Sequence, residues 1–284
     1  NLITSFIRLL ILLRITAFFD TFCETIMPKR LLFLSFGRNF KMKKFGDEYI
    51  RRFSSARIIE HWLNAIVFAV LVLTGLSQKF HDYSAAQWIV MTFGGIDATR
   101  LIHRYTGIIF AGLTIPHILA ASFGFLFLKW QPSIIIHKND FRDAIVNIRY
   151  YLGLEEHPAR CDRFDYKQKF EYWGVVVGGI LMIATGALLW IPTLAARFLP
   201  GEFIPAAKAL HTNEALLAFL VIVIWHIYNA VFSPEVFPID TVMFTGKISK
   251  ERMIHEHPLE YERLFGVSLE SSKDENAPEK RMTT

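Results

Sequence analysis

The sequence predicts an all-α integral membrane protein: a four-helix bundle with an N-terminal interfacial helix and a short cytoplasmic amphipathic helix. Three observations lead to this fold class. Of the 284 residues, 52% are hydrophobic and only 20% are charged, whereas about a quarter of the residues in a soluble domain are charged. Four long stretches lack charge, and Lys and Arg are concentrated in alternate connections. This composition excludes a disordered chain, a secreted disulfide scaffold and an ordinary soluble enzyme.

The four uncharged stretches comprise residues 61–78, 105–128, 172–196 and 215–233. Each is close to the ~20 residues that an α-helix needs to cross a bilayer. Helices buried in a large soluble protein rarely stay uncharged over this length four times. We therefore predict transmembrane helices over about 58–79, 102–128, 170–192 and 211–233, within a domain of residues 51–265.

The connections indicate the orientation of these helices. Residues 29–57, residues 129–169 and the segment after the fourth span hold nine, eight and seven Lys or Arg, while the other two connections hold two each. Lys and Arg accumulate on the cytoplasmic side of membrane proteins. The sequence therefore predicts a multi-pass protein of the bacterial inner membrane with both termini in the cytoplasm. The positive charge also suits contact with anionic membrane lipid, and it does not imply nucleic acid.

Three segments lie outside the spans. Residues 1–50 form an N-terminal basic segment, and the charges at Arg8, Arg14 and Asp20 favour an interfacial helix over a further crossing. The long central connection carries an apolar stripe at helical spacing, closed by Gly153, which predicts a helix on the membrane or under a partner: Phe141, Ala144, Ile145, Ile148 and Leu152. Residues 266–284 are polar and predicted to be disordered. No internal repeat is evident.

Five of the ten histidines lie in or at the edges of the spans, where an ionisable residue is a functional candidate by default. Because successive spans run in opposite directions, position along a helix converts to depth at about 1.5 Å per residue. His103 and His211 begin the second and fourth spans near the periplasm. His61 begins the first span near the cytoplasm, and His117 and His226 return to its level. The sequence therefore predicts two layers of imidazoles.

Two imidazoles from facing helices are the ligands that a six-coordinate b-type haem needs. Zinc usually takes three or four clustered ligands, and a proton relay usually includes Asp or Glu, which the four uncharged stretches lack apart from Glu60 at the edge of the first. Cys23 and Cys161 are too few for an iron–sulfur cluster, and no C-x-x-C-H motif attaches a covalent haem. Two non-covalent haem b groups are therefore expected. A hydrogen bond to a neighbouring helix is the structural alternative for each histidine.

Short motifs around these histidines resemble a known family. They are R-x-x-x-H-W at the first span, T-G-L at its end, H-R-x-x-G in the second span, and K-Q-K-x-E-Y-W ahead of the third. In this order they resemble the di-haem cytochrome b subunits of respiratory formate dehydrogenases, and the related subunits of nickel–iron hydrogenases and thiosulfate reductases. The resemblance covers about residues 50–265 and leaves residues 1–45 and the tail uncovered.

The resemblance implies a ligand set and a function. The cytoplasmic-side haem takes His61 and His226 as iron ligands, and the periplasmic-side haem takes His103 and His211. The implied function is electron transfer between quinone and a redox partner subunit, with no chemistry on an organic substrate beyond quinone. A haem-free membrane anchor, and a quinol-oxidising module that feeds a periplasmic multihaem cytochrome c, are the alternatives.

The resemblance also implies where quinone and the partner bind. The family's quinone site lies beside the cytoplasmic-side haem, near Gln168 and Lys169, and Asp165 replaces an amide that formate dehydrogenase relatives carry there. The periplasmic connections are aromatic and poor in charge, which suits protein contacts. We therefore expect a periplasmic redox partner of the iron–sulfur or cytochrome c type.

Three further residues have open roles. Arg57 and Arg104 lie near predicted ligands, where they either pair with haem propionates or snorkel at a membrane edge. His117 follows Pro116, which removes a backbone donor. His117 is expected to hydrogen-bond quinone or a propionate, or to relay a proton. Its alternatives are a hydrogen bond to the freed carbonyl one turn back, and a role as an axial ligand.

Overall fold

The computed structural model describes residues 48–127 and 133–269, and the predicted N-terminal interfacial helix and nearly all of the predicted polar tail lie outside these residues. The described part is mainly helical. Its elements, in chain order, are β1 (Tyr49–Arg51), α1 (Ser55–Lys79), α2 (Ser84–Thr92), α3 (Ile96–Phe127), α4 (Lys138–Tyr151), α5 (Tyr166–Trp190), α6 (Pro192–Phe198), α7 (Phe203–Leu220, continued by π-helical turns Val221–His226 and Tyr228–Phe232), α8 (Val242–Thr245), β2 (Lys247–Ser249), α9 (Lys250–Glu256) and α10 (Pro258–Phe265).

Four of these helices are long and apolar enough to cross a membrane: α1, α3, α5 and α7 with its π-helical continuation. This finding confirms the predicted fold class. Helix α7 begins at Phe203, whereas the sequence pattern placed its start at 211, after Lys208. A lysine in the first turns of a helix extends its charge towards the polar boundary and does not end the helix.

The four spanning helices form a closed ring, in which α1 packs against α3 and α7, and α5 packs against the same two helices. Several of the side chains buried on these helices are small and polar: Thr74, Ser77, Thr99, Thr106 and Thr185. Large apolar side chains such as Leu119, Val177 and Ile224 are exposed on the outside. Small residues let membrane helices approach closely, and the apolar exterior requires lipid around it.

Helix α4 is the predicted amphipathic helix, and Gly153 follows it with a φ of 72°. Its apolar stripe is exposed, whereas Asp140 and Asn147 are buried on the opposite face. Asp140 Oδ1 lies 2.7 Å from Lys169 Nζ in a buried ion pair. The polar face of α4 therefore holds the helix against α5, and the apolar face is left for lipid or a partner.

A small cap of β1, β2, α8, α9 and α10 lies at the end of the bundle where α1 begins. Strands β1 and β2 pair antiparallel, with Tyr49 opposite Ser249. The core of the cap consists of Val242, Ile248, Met253 and Tyr261. Because β1 precedes the first span and β2 follows the fourth, the pairing places both at one end, as an even number of crossings requires. We call this end the cap end and the other the far end.

A buried acid links three distant parts of the chain in the cap. Glu260 is 2% exposed, and its two carboxylate oxygens lie 3.0 Å from Arg52 Nη1 and 2.6 Å from Arg163 Nη1. Arg163 Nη2 also donates a hydrogen bond to the Arg52 carbonyl over 2.7 Å. Burial lowers the pKa of the Arg52 guanidinium, and the charge of Glu260 opposes that change.

His257 is buried in the same cap and is 4% exposed. Its Nδ1 donates a hydrogen bond to the carbonyl of Asp162 over 2.8 Å. Burial, together with the positive charge of nearby Arg52, lowers the pKa of His257 to about 4. The imidazole is therefore neutral at pH 7.

Candidate cofactor site

The structure brings four of the five span histidines together in two pairs. The ring centres of His103 and His211 are 6.3 Å apart at the far end, with an angle of 79° between the ring planes. The ring centres of His61 and His226 are 6.0 Å apart at the cap end, with an angle of 38°. We call these the far-end pair and the cap-end pair. Both separations suit two imidazoles that share one metal ion through bonds of about 2 Å.

His103 of the far-end pair is held by two consecutive residues of α1. Thr74 Oγ1 lies 2.9 Å from His103 Nδ1, and Thr74 is fully buried. A Cβ at Gly75 would lie only 3.1 Å from His103 Cε1. Glycine at position 75 therefore lets the imidazole lie against the α1 backbone, while the threonine hydroxyl orients the ring.

His211 is held in the same way by α5. Thr185 Oγ1 lies 2.8 Å from His211 Nδ1, and a Cβ at Gly186 would lie 3.3 Å from His211 Cε1. The two Thr-Gly pairs precede their histidines by similar distances along the chain, and each lies on the preceding spanning helix. The structure thus contains a short internal repeat where none was evident in the sequence. Two Thr-Gly dipeptides, each followed by a histidine about one helix later, were the only sequence signal for it.

The cap-end pair has different surroundings. His61 Nδ1 is buried and has no hydrogen-bond partner among the described residues. The neighbouring Trp62 donates its Nε1–H to the Met243 carbonyl over 2.9 Å, which connects this turn of α1 to the cap. His226 lies in the π-helical part of α7, and its Nδ1 is 2.7 Å from Glu171 Oε1. A carboxylate therefore faces one member of this pair.

The carboxylates inside the helices correct one expectation from the sequence. The uncharged stretches left Glu60 as the only acid of the spans, but α5 includes Glu171 and α7 includes Glu214. A Cβ built at Gly178 would lie 2.7 Å from Glu214 Oε1, so this carboxylate is packed against the α5 backbone. The search for acids missed both residues because it covered only the uncharged stretches, which begin one residue after each of them, at 172 and 215.

His117 lies in a polar cluster beside the cap-end pair. Its Nδ1 makes a short contact with Glu60 Oε1, and its Nε2 lies 3.1 Å from the hydroxyl of Tyr172. Arg57 Nη1 donates to Glu60 Oε2 over 2.8 Å and is 3.4 Å from His117 Nδ1. Both ring nitrogens of His117 thus have side-chain partners from other helices. We call Arg57, Glu60, His117 and Tyr172 the His117 cluster.

Gln168 and Lys169 have structural partners at the start of α5. The backbone N–H of Gln168 donates to Asp165 Oδ1 over 2.7 Å, and Gln168 Oε1 accepts from the Asp165 N–H over 3.2 Å. These reciprocal bonds form a capping box, which satisfies two free donors at the helix start. Lys169 pairs with Asp140 of α4, as described above. A quinone contact for Gln168 and Lys169 stays a prediction.

Arg104 is exposed at the far end, near His103. Its guanidinium carbon lies 5.9 Å from the centre of the Trp190 ring. This is a cation–π contact between the start of α3 and the end of α5. The described residues show no carboxylate partner for Arg104, so its charge is free to meet an acidic group of a bound cofactor.

The donor set at the two pairs fits haem. In the described ranges, no group of three or more His, Cys, Asp or Glu side chains is placed to hold a metal ion by itself. Each pair therefore supplies two nitrogen ligands and leaves the other positions to a group that brings its own donors, as a porphyrin does. A Cβ at Gly107, one turn from His103, or at Gly174, one turn from Glu171, would meet no atom within 4 Å. There is thus open space next to both glycines.

Comparison with known proteins gives an independent result. The cytochrome b556(fdo) subunit of formate dehydrogenase from Escherichia coli K12 is 25% identical over 213 residues, which are 75% of this chain and 92% of that protein. The nitrate-inducible b556(Fdn) subunit from the same organism is 24% identical over 216 residues, 76% of this chain and 91% of that protein. The formate dehydrogenase cytochrome b556 subunit of Haemophilus influenzae is 27% identical over 191 residues, 67% of this chain and 74% of that protein.

The family model described as prokaryotic cytochrome b561 matches residues 52–246. The match includes all four spanning helices and both histidine pairs, and it covers well over half of the chain. This multi-pass membrane protein therefore belongs to the prokaryotic cytochrome b561 family.

Proposed function

We propose that this chain is the membrane electron-transfer subunit of a respiratory oxidoreductase, and that it carries electrons between quinone and a redox partner subunit through two b-type haems. The observation that carries the proposal is the presence of two histidine pairs at opposite ends of one membrane-spanning bundle. Membership of a cytochrome b family implies haem b. The two pairs support a count of two.

In this proposal one histidine pair would hold each haem: His103 with His211, and His61 with His226. Haem supplies one-electron redox chemistry when it is bound. The protein supplies neutral nitrogen donors, excludes water with its buried threonines and glycines, and sets the electrostatic surroundings of each pair. Arg104 and Arg57 are the candidate partners for haem propionates at the far end and the cap end.

The separation of the pairs suits transfer across the membrane. His61 and Thr74, which contacts His103, are 13 residues apart on α1. At 1.5 Å per residue this is about 20 Å, which spans much of a hydrocarbon core of about 30 Å. Two cofactors at these levels would divide electron transfer across the membrane into shorter steps.

We place the cap end in the cytoplasm and the far end in the periplasm of a bacterial inner membrane. The segments that meet at the cap end carry most of the Lys and Arg of the chain, as the positive-inside tendency requires. Both termini are then cytoplasmic, because β1 and β2 pair at the cap end.

We place quinone at the cap end, beside the His61–His226 pair. The His117 cluster provides an imidazole and a phenol there, which are groups that exchange hydrogen bonds with quinone oxygens. Gln168 and Lys169 stay candidates for the same site through the family resemblance. Their capping and tethering contacts hold the start of α5, and with it Tyr172, in place.

The redox partner is placed at the far end. The connections at that end expose large aromatic side chains, among them Tyr83, Trp88 and Phe198. Aromatic residues are enriched in protein interfaces. The relatives named above are subunits of formate dehydrogenases, which supports a partner of the iron–sulfur or cytochrome c type.

Haem content tests the proposal directly. We expect two haems per chain in a pyridine haemochrome assay of the purified protein. His211→Ala and His226→Ala should each retain one haem, while His157→Ala, at an exposed histidine outside both pairs, should retain two. A wild-type protein without haem would support a membrane anchor instead. One haem in the wild-type protein would refute the two-haem assignment.

A further inference from the structure

The two threonines at the far-end pair have a fixed hydrogen-bond polarity. A threonine hydroxyl carries one hydrogen and can donate only once. Thr74 Oγ1 lies 2.7 Å from the Val70 carbonyl, and Thr185 Oγ1 lies 2.7 Å from the Leu181 carbonyl. Because a carbonyl can only accept, each hydroxyl donates its single hydrogen back to its own helix.

The hydroxyl must then be the acceptor in its contact with histidine. The contacts are 2.9 Å for Thr74 with His103 Nδ1 and 2.8 Å for Thr185 with His211 Nδ1. A hydrogen bond needs one donor, so Nδ1 carries a proton in both histidines. A neutral imidazole has only one N–H. Nε2 of each ring therefore keeps its lone pair.

Burial protects this arrangement from water. Thr74 is 0% exposed and Thr185 is 5% exposed, so water does not reach either hydroxyl to reverse the bond. Gly75 and Gly186 hold each ring face against a backbone, as described above. The same device occurs twice, once between α1 and α3 and once between α5 and α7.

We propose that Thr74 and Thr185 are positioning residues that select the Nδ1–H tautomer of His103 and His211 and thereby present both Nε2 atoms as iron ligands. This inference rests on the proposed function, because it assumes that these two histidines bind the far-end haem. An acceptor on the outer nitrogen of a ligating histidine fixes the ring and raises its basicity. Among the residues that the structure describes, no such threonine contacts the cap-end pair, so the effect is confined to one haem.

The test uses Thr74→Val and Thr185→Val, which keep the side-chain shape and remove the acceptor. Thr99→Val is the matched control, because Thr99 is 0% exposed and donates to the Gly95 carbonyl over 2.9 Å. Within the described part of the chain, Thr99 makes no hydrogen bond with a histidine. The holoprotein in native membranes or detergent is examined by optical redox titration and electron paramagnetic resonance.

We expect each valine variant at 74 or 185 to shift the midpoint potential of one haem upward, because a less basic ligand stabilises the oxidised iron less. The g values of the same haem should change, and its retention should weaken by about tenfold or more. The other haem should match the wild type. Thr74→Ser and Thr185→Ser, which restore the hydroxyl, should restore the potential.

Two results separate the possible failures. If the valine variants at 74 and 185 keep wild-type potentials and g values, as Thr99→Val should, the positioning role is overturned while the two-haem assignment stands. If His211→Ala keeps both haems, the proposed ligands themselves are wrong. A potential that serine does not restore would also overturn the role of the hydroxyl.

Discussion

Removing the charge of Glu260 should open the cap while the bundle stays intact. The side chains of Glu260 and Arg52 are 2% and 4% exposed, and Arg163 completes the cluster on the other carboxylate oxygen. Glu260→Gln keeps the side-chain shape but leaves Arg52 as a buried cation without its counter-charge. Breaking a buried pair in this way costs about 3–5 kcal/mol. The lower figure corresponds to a rise of roughly a hundredfold in the open population of the cap.

Hydrogen–deuterium exchange of the β1 and β2 amides measures that population. The matched control is Asp162→Asn, which removes an exposed pair in the same cap: Arg263 and Asp162 are 56% and 43% exposed. An exposed pair contributes about 0–1 kcal/mol. We therefore expect fast exchange of peptides 49–51 and 247–249 in Glu260→Gln and near wild-type exchange in the control, with unchanged haem absorbance in both. Equal exchange in the two variants would refute the reasoning.

Three further predictions concern other features of the cap end. The pKa of His257 is about 4 in the folded cap and about 6.5 when exposed to water, so the open cap binds more protons between these pH values. The stability of the folded cap should therefore fall as the pH drops from 6.5 towards 4, by about 3 kcal/mol in full. Asp140→Asn should increase the mobility of α4 as much as Lys169→Met does, because each breaks the same buried ion pair. A spin label on α4 measures that mobility. His117→Phe should keep both haems and lower quinone-linked turnover, measured by spectra and activity.

Each of these predictions has a contradicting outcome. A cap whose amide exchange, corrected for intrinsic rates, does not change between pH 7 and 5 would contradict the role of His257, and His257→Gln serves as the non-titrating control. A quinone defect in Lys169→Met that Asp140→Asn does not share would mean that Lys169 acts on quinone rather than through α4. Loss of the cap-end haem in His117→Phe would make His117 an axial ligand.

The sequence predicted the spanning helices well, because lack of charge over a bilayer thickness is a property of each segment alone. Residue count along the helices also placed His103 with His211 in one layer, and His61 with His117 and His226 in the other. The choice of His226 as the partner of His61 came from the family resemblance. Which side chain lies against an imidazole depends on how two helices rotate about their axes. For that reason Thr74 entered the sequence analysis only as part of the T-G-L motif, and its contact with His103 was not predicted.

The cap was beyond what the sequence could indicate. Its strands are three residues long, too short for an alternating pattern of apolar and polar residues, and its ion cluster joins Arg52, Arg163 and Glu260 from three distant segments. Glu171 was overlooked as well, because the search for acids covered only the uncharged stretch that begins at Tyr172. Contacts between segments that are far apart in the chain leave no local signal in either segment.

The pairing of β1 with β2 has a consequence for biogenesis. Strand β1 ends at Arg51, before the first span is synthesised, and β2 begins at Lys247, after the last. The ladder between them can close only when both strands are on the same side of the bilayer. If one helix failed to insert, the two strands would be separated by the membrane, and the buried arginines of the cap would stay in water. Cap closure thus follows the synthesis of the last span, and it occurs only in chains whose insertion has left both strands on one side.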